Sequence, residues 1–359
     1  LDLLIKEIKS EINISDYLIY VLLATVCDVM PLRKLNRLIA LNALKNFDIT
    51  KNLPLNTLFE LNEKKNKINI NDLGYLIGPI LNAGGRLGKS QYATELLSSN
   101  NDQFIKDRST YLIKLNNKRK EIETLILNEI DFQKIEKENN EVIIYYNPNI
   151  NEGLIGIIAA RLKDYFNKPS IVITASNKFL KGSARSIYNY NIGRAIKNSL
   201  DKNIILGGGG HNMAAGFILN KANLKVFESY ILEDFLKSNT VNSNTFTYES
   251  EVSSLAFNQD FYDDIKKLGP FGTGNAVPIF LLRDLKIIKP TILNNKHVSL
   301  ILKSKTGFTI KSICFNAVNN KMGEYLKSYK NNLNVLGQIN ENIWNNKKTL
   351  QLTVIDIIL

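Results

Sequence analysis

Histidine, tryptophan, methionine and cysteine are all rare in this sequence of 359 residues, which contains two, one, three and two of them, respectively. The two cysteines, Cys27 and Cys314, lie far apart and show no CxxC spacing. This spacing excludes a disulfide framework and a cysteine-rich zinc site, and it fits a reducing, cytoplasmic compartment. No run of about 18 apolar residues is present, so no transmembrane helix is expected.

Acidic residues are fewer than basic ones, 34 against 46, which gives a formal net charge of +12. Such a charge indicates an anionic partner, and nucleic acid is the first candidate. At roughly 100–200 residues per domain, the length predicts two or three domains. The chain begins with Leu1 and its first residues lack the pattern of a signal peptide, so we interpret it as a piece of a longer chain.

Four consecutive glycines at residues 207–210 precede His211. Glycine can adopt positive φ and lets another group approach the backbone closely. We interpret the stretch as a loop that leads into a buried segment at Met213 and whose N–H groups bind an anion. The alternative is a glycine-rich turn beside a buried histidine.

Two further stretches combine small residues with a single arginine. Residues 78–88 predict a glycine-rich turn that exposes Arg86, and residues 182–186 place Ser183, Arg185 and Ser186 at the end of a strand. A guanidinium among small residues can bind phosphate through two hydrogen bonds. In the alternative, these residues are structural, and Arg86 caps a helix or pairs with a core carboxylate.

The order of apolar segments predicts an α/β protein with an all-β end. Asp28 follows an apolar run at residues 16–27, and its carboxylate either projects into a cleft or caps a turn. Residues 46–72 predict a surface connection with one short helix. Residues 101–138 predict one long helix, with Arg119 on a solvated basic face.

The second half of the sequence predicts two further folded parts. A strand, a buried helix and a second strand follow one another between residues 141 and 174, which indicates a parallel or mixed sheet. About five short strands after residue 279 predict a small barrel of the oligonucleotide-binding (OB) type. A generic β-sandwich is the alternative for this last part.

Six motifs in this order resemble those of the RecJ-type single-strand-specific DNA exonucleases of the DHH phosphoesterase superfamily. They lie at residues 28–32, 81–87, 153–162, 181–186, 208–216 and 270–275. The resemblance covers nearly the whole chain and implies four parts. These are the C-terminal part of a DHH catalytic domain (1–100), a connecting helix (101–140), a DHHA1 substrate-binding domain (141–240) and an OB-like nucleic-acid-binding domain (245–359).

The resemblance also implies an activity, which is metal-dependent 5′ to 3′ hydrolysis of single-stranded DNA in repair and recombination. It implies a two-metal site for Mn²⁺ or Mg²⁺ with Asp28 as one ligand, and it gives catalytic roles to Arg86, Arg185 and His211. Single-stranded DNA is the expected partner of a monomer without a membrane role, with a single-strand-binding protein and a helicase as further partners. The expected phosphate contacts are Ser183, Arg185, Ser186, Gly208, Gly209, Gly210 and His211.

The sequence departs from the family pattern in two places. Only 27 residues precede Asp28 and none is histidine, so the upstream aspartate and Asp-His-His motifs are absent. We therefore expect no nuclease activity from this chain alone. Asn151 stands where the family usually has histidine. Two other functions stay open: binding of single-stranded nucleic acid without cleavage, and hydrolysis of cyclic dinucleotides or short RNA by a small-substrate DHH phosphodiesterase.

Overall fold

The structure is a computed structural model that describes residues 14–64, 67–238, 247–318, 321–344 and 347–358. These residues form two compact units. The first contains the described parts of Leu1–Phe47, Ile68–Gly74 and Thr245–Leu359, and the second those of Asp48–Lys67 and Tyr75–Asn244. Within the described ranges, no helix is both long and apolar enough to cross a membrane.

The helices and strands are numbered in chain order. The helices are α1 (Leu18–Cys27), α2 (Lys34–Asn46), α3 (Leu53–Leu61), α4 (Gly78–Arg86), α5 (Gln91–Leu97), α6 (Asp102–Glu129), α7 (Phe132–Glu138), α8 (Ile155–Phe166), α9 (Ile192–Asp201), α10 (Leu224–Lys237), α11 (Gln259–Lys267) and α12 (Lys321–Ser328). The strands are β1 (Ile143–Tyr146), β2 (Ser170–Ser176), β3 (Phe179–Arg185), β4 (Gly207–His211), β5 (Ala214–Leu219), β6 (Ser250–Glu251), β7 (Phe280–Leu293), β8 (His297–Lys303), β9 (Thr309–Cys314), β10 (Asn332–Trp344) and β11 (Lys347–Ile358).

In the first unit, the start of α2 packs against a Gly/Pro-rich turn that lies far away in sequence. The Leu32 N–H donates to the carbonyl of Thr273 at 2.7 Å, and Arg37 Nη2 donates to the carbonyl of Gly269 at 2.8 Å, across 232 residues of sequence. A Cβ on Gly272 would lie 2.7 Å from Leu32 Cδ1. A side chain at residue 272 would therefore require the Leu32 side chain to shift.

The C-terminal strands of the first unit form a closed five-stranded barrel. Strands β7, β8, β9, β11 and β10 are neighbours in that order, and β10 pairs back to β7. Alternate residues point inward, so that Leu300, Val335 and Leu352 share one buried core. This confirms the predicted OB-like barrel. The first of the strands predicted after residue 279 is the long strand β7, and the short helix α12 was not predicted.

In the helical part of the second unit, two predictions are wrong. Helix α3 is present as expected, but Leu55 and Leu58 are fully buried, so the segment is part of a core and not a surface connection. Residues 78–86 form helix α4 instead of a glycine-rich turn. A Cβ on Gly84 would lie 2.5 Å from the carbonyl oxygen of Lys89, so this glycine serves close packing.

The predicted long helix is two helices. Helix α6 ends at Glu129 because Ile130 adopts an extended conformation. Helix α7 then starts after Asp131, whose carboxylate accepts a hydrogen bond from the Lys134 N–H at 2.9 Å. This side-chain cap satisfies a backbone donor at the new helix start, which stabilises the interruption.

The second unit also contains a mixed five-stranded sheet with the order β1-β2-β3-β5-β4. Strands β1 and β2 are parallel and are joined through α8, which confirms the predicted strand, helix, strand unit. All other neighbours are antiparallel. Ile196 of α9 and Phe227 of α10 pack with Phe217 on one face, whereas Leu162 of α8 packs with Val172 on the other.

The interpretation of residues 207–210 as a loop is wrong. They form the edge strand β4, which pairs with β5 through a two-residue turn. None of the four glycines has positive φ. Close approach is the actual reason for two of them: a Cβ on Gly208 would lie 2.8 Å from the carbonyl oxygen of Gly216, and one on Gly210 would lie 2.3 Å from that of Ala214.

Candidate phosphate-binding site

Two rows of directly paired residues cross strands β3, β5 and β4 on the face that α8 partly covers. Directly paired residues on neighbouring strands lie on the same face of a sheet. The register therefore brings Ser183, Arg185 and His211, three of the predicted site residues, to one face. Strand β5 lies between them, so at about 4.8 Å between neighbouring strands the Cα atoms of Arg185 and His211 are roughly 10 Å apart. The rows are Ser183–Gly216–Gly209 and Arg185–Ala214–His211.

Glycine backbone forms an open floor in the row that begins at Ser183, whereas Ala214 lies between Arg185 and His211 in the other row. Gly209 and Gly216 are exposed. A Cβ on Gly209 would meet no atom within 4 Å, and one on Gly216 would meet only the carbonyl oxygen of Gly182, at 3.9 Å. Arg185 and the exposed His211 both lie in the neighbouring row, along one side of this floor. The floor can therefore accept an elongated group without a steric barrier.

The Arg185 guanidinium is held in place from two sides. Its Nη1 donates to the Ala184 carbonyl at 2.8 Å and to the Ser183 hydroxyl at 3.3 Å. Its Nη2 lies 3.0 Å from the place that a Cβ on Gly156 of α8 would occupy. Burial, and then the positive charge of Arg86, lower the pKa of Arg185. Both effects disfavour the charged form, so a bound anion would offset both costs.

Arg86, at the end of α4, lies against the turn that precedes α8. Its Nη1 donates to the Gly153 carbonyl at 3.1 Å. A Cβ on Gly153 would lie 2.2 Å from the Arg86 carbonyl oxygen, so only glycine fits. Burial, and then the positive charge of Arg119, lower the pKa of Arg86. Arg86 thus interacts electrostatically with Arg185 on one side and Arg119 on the other.

Arg119 was predicted on a solvated helix face, and this prediction is wrong. Its side chain is only 12% exposed, and it donates from Nη1 to Glu123 at 2.9 Å and from Nη2 to Asn116 at 3.1 Å. A sequence signal was available. Ser109, Asn116 and Glu123 follow one another at seven-residue spacing along the buried stripe of α6. Polar residues at core positions indicate a buried network.

Two other predicted residues have structural contacts. Ser186 is 1% exposed, and its hydroxyl donates to the Tyr190 carbonyl at 2.6 Å. Because the hydroxyl is buried and occupied, Ser186 is not available to a phosphate in this conformation. Asn151 accepts from the Gly153 N–H at 2.8 Å and so shapes the turn beside Arg86. Gly208 and Gly210 serve strand packing, as described above.

Asp28 belongs to the first unit, and its role as a metal ligand stays a prediction. It is exposed at the C-terminal end of α1, where its N–H donates to the Ala24 carbonyl at 2.9 Å. Among the residues with described positions, no three His, Cys, Asp or Glu side chains form a group that could hold a metal ion. The described residues therefore do not fit a two-metal site.

Two family models match the chain. The DHHA1 domain model matches residues 139–237, which contain the five-stranded sheet and both rows of the site. The RecJ OB domain model matches residues 248–356, which contain the barrel. The curated relatives include the single-stranded-DNA-specific exonucleases RecJ of Haemophilus influenzae and Bacillus subtilis.

The first of these relatives is 30% identical over 96% of this chain and 62% of its own length, and the second is 27% identical over 93% and 43%. The chain thus spans less than two thirds of either curated relative. Two crystal structures of RecJ from Thermus thermophilus, in complex with Mg²⁺ and with Mn²⁺, have the same fold. Each covers 96% of this chain at 21% identity, with TM-scores of 0.79 and 0.80, and the match spans 52% and 50% of their lengths.

Proposed function

The chain belongs to the RecJ family, with its DHHA1 and OB domains, and on that basis we propose that the protein degrades single-stranded DNA from the 5′ end. The reaction is the hydrolysis of phosphodiester bonds, and its cellular role is DNA repair and recombination. This chain supplies the parts that hold the strand.

One observation carries the proposal: the rows that place Ser183, Arg185 and His211 on one face of the sheet, beside an open floor of glycine backbone. A phosphate on this floor can accept hydrogen bonds from the guanidinium and the imidazole, and glycine leaves room for the sugar. Contacts of this kind bind the backbone of any sequence. Ser183 orients Arg185 through its hydroxyl, so the guanidinium is held before the strand binds.

The barrel carries a basic surface that supports binding of a longer stretch of single-stranded DNA. Lys286 pairs directly with Lys303 on neighbouring strands, and Lys311 lies on the next strand. All three are exposed. Lysines in such a row attract the phosphates of a single strand through charge, without sequence preference. A dinucleotide has little use for this surface, which favours a strand over a very short substrate.

The two Thermus thermophilus structures are complexes with Mg²⁺ and Mn²⁺, and we include one of these ions in the proposal. The described residues of this chain do not form its site, and Asp28 is the ligand that the family resemblance implies. We also propose that the protein is a cytoplasmic monomer whose partners include a single-strand-binding protein and a helicase. The two free cysteines fit the reducing compartment.

The test is a degradation assay on the protein produced from its complete gene, with single-stranded and duplex oligonucleotides in the presence of Mn²⁺. We expect nucleotides to be released from the 5′ end of the single strand only. Arg185→Gln should lower kcat/KM by about a hundredfold, a typical loss when one preorganised donor is removed. Arg194→Gln is the matched control, because Arg194 is 55% exposed on α9. Cleavage from the 3′ end, or equal cleavage of the duplex, would contradict the proposal.

Binding without cleavage is the second candidate, favoured by the lack of a metal-ligand group among the described residues. The same assay separates the two functions. A protein from the complete gene that binds the strand with strong salt dependence and leaves it intact would support the binding function. Preferred cleavage of a dinucleotide would instead indicate a small-substrate phosphodiesterase.

A further inference from the structure

One buried carboxylate in the second unit belongs to none of the predicted sites. Glu123 lies on α6 and is 5% exposed. Its Oε2 accepts from Arg119 Nη1 on the same helix at 2.9 Å, and its Oε1 accepts from Arg161 Nε on α8 at 2.7 Å. A buried carboxylate is costly unless it is fully paired, and here both oxygens are used. Glu123 therefore ties α6 to α8.

Helix α8 in turn contacts both arginines of the phosphate site. Gly156, in its first turn, is so close to the Arg185 guanidinium that a Cβ would lie 3.0 Å from Nη2. Gly153, just before the helix, leaves no room for a Cβ beside the Arg86 carbonyl and accepts a hydrogen bond from Arg86 Nη1. A shift of α8 would therefore move both guanidinium groups.

The charges around Glu123 make it hard to replace. The positive charge of Arg119 lowers the pKa of Arg86, and Arg161 on α8 places another guanidinium next to Glu123. Without the carboxylate, these like charges would repel one another with no anion between them. Such repulsion separates α6 from α8, and α8 then no longer holds the site.

We propose that Glu123 is a positioning residue, which fixes α8 and, through α8, the spacing between Arg86 and Arg185. The inference rests on the proposed function of Arg185 as a phosphate ligand, with Arg86 beside it. Glu123 itself does not touch the substrate.

Whether Glu123→Gln strengthens or weakens DNA binding distinguishes a positioning role of the carboxylate from a purely electrostatic one. Glu123→Gln keeps the size of the side chain and removes one negative charge. If the carboxylate acted only as a nearby negative charge, its neutralisation would strengthen DNA binding. If it positions α8, the same substitution weakens binding although the site becomes more positive. Only the second result follows from the proposal.

The experiment measures the affinity of the chain for a single-stranded oligonucleotide with a 5′ phosphate, by fluorescence anisotropy over a series of salt concentrations. Glu121→Gln is the matched control, because Glu121 is exposed on the same helix and carries the same charge. For Glu123→Gln we expect roughly tenfold weaker binding, the scale of one lost charged hydrogen bond. At about 0.7 per phosphate contact, losing the Arg185 contact makes the slope of log affinity against log salt concentration shallower by about 0.7. The control should stay within about twofold. Unchanged or tighter binding by Glu123→Gln would overturn the inference.

A second variant covers the case in which Glu123→Gln does not fold, as judged by circular dichroism. Arg161→Gln removes only the link to α8, and Arg161 is 56% exposed, so the fold should survive. Arg161→Gln should also weaken oligonucleotide binding and make its salt dependence shallower. Where both variants fold, Arg161→Gln should add little in the Glu123→Gln background, because both break the same link. Additive losses would mean that Arg161 acts through its own charge, and they would overturn the inference.

The outcomes also separate this inference from the proposed function. If the unmodified chain does not bind the oligonucleotide, both fail. If Arg185→Gln weakens binding but neither Glu123→Gln nor Arg161→Gln does, the phosphate site stands and the positioning role is refuted.

Discussion

The glycines of β4 predict an alternation of effects along a strand. Each is replaced by alanine in turn. A Cβ added at Gly208 or Gly210 would point toward the packed face and lie 2.8 Å or 2.3 Å, respectively, from the nearest backbone oxygen. A Cβ added at Gly207 or Gly209 would point toward open space and meet no atom within 4 Å. The substitutions should therefore disturb the fold at every second position.

The magnitudes follow from these contacts. Overpacking typically costs about 1–3 kcal/mol, and Gly210→Ala should reach the upper end because it meets backbone atoms that cannot rotate away. For a unit of this size, each kcal/mol lowers the melting temperature by about 2–4 °C. Gly207→Ala and Gly209→Ala should instead stabilise the fold by about 0.4–1 kcal/mol, since alanine reduces the freedom of the unfolded chain and the native φ is compatible with it.

The assay is scanning calorimetry of the four variants beside the unmodified chain, followed by oligonucleotide binding for those that fold. Gly209→Ala places a methyl group on the proposed floor, so it should bind more weakly while melting no earlier. Gly207→Ala, which lies farther from His211, is its control for binding. Similar destabilisation by all four substitutions would refute the assignment of the two strand faces.

Two further predictions concern the first unit. Burial, and then the negative charge of Asp356, raise the pKa of the Cys314 thiol to about 11, so about one thiol in a thousand is ionised at pH 8. Iodoacetamide should therefore modify Cys27 well before Cys314 in the folded protein, and the rate at Cys314 should rise as the pH approaches 11. Mass spectrometry after digestion measures the labelling of each cysteine, and equal labelling would contradict the prediction. In the barrel core, Leu300→Ala should cost about 2–5 kcal/mol in urea unfolding, whereas Leu255→Ala, at a position 62% exposed, should stay within about 0.5 kcal/mol.

Much of the fold could be predicted because its elements have strong local patterns. The strand, buried helix and second strand predicted between residues 141 and 174 show the apolar spacing of their type, and the structure has β1, α8 and β2 there. The glycine stretch could not be assigned from local pattern. Glycine has low strand propensity, and β4 exists because it pairs with β5 and packs against α9.

The candidate site was predictable in its residues but not in its surroundings. Arginine among small residues drew attention to Arg86 and Arg185, which interact electrostatically in the structure, and their role as site residues stays a prediction. Arg119 was assigned to solvent because neighbouring lysines suggested a solvated face. The polar residues at core spacing in α6 indicated a buried network, but the contact of Glu123 with Arg161 of α8 is a tertiary contact that the sequence of α6 alone does not contain. Ser186 shows the reverse case, since a hydroxyl near a phosphate site is used to bond Tyr190.

The long-range contacts of α2 have a consequence for synthesis on the ribosome. Arg37 bonds to Gly269, and the segment containing Arg37 leaves the ribosome first. At about 5–20 residues per second, the 232 residues between them take roughly 10–50 seconds to make. During that time α2 lacks the Gly/Pro-rich turn against which its start packs, while the second unit, whose described residues all lie within this interval, can fold. The first unit should therefore be the last to form and the more exposed to chaperones.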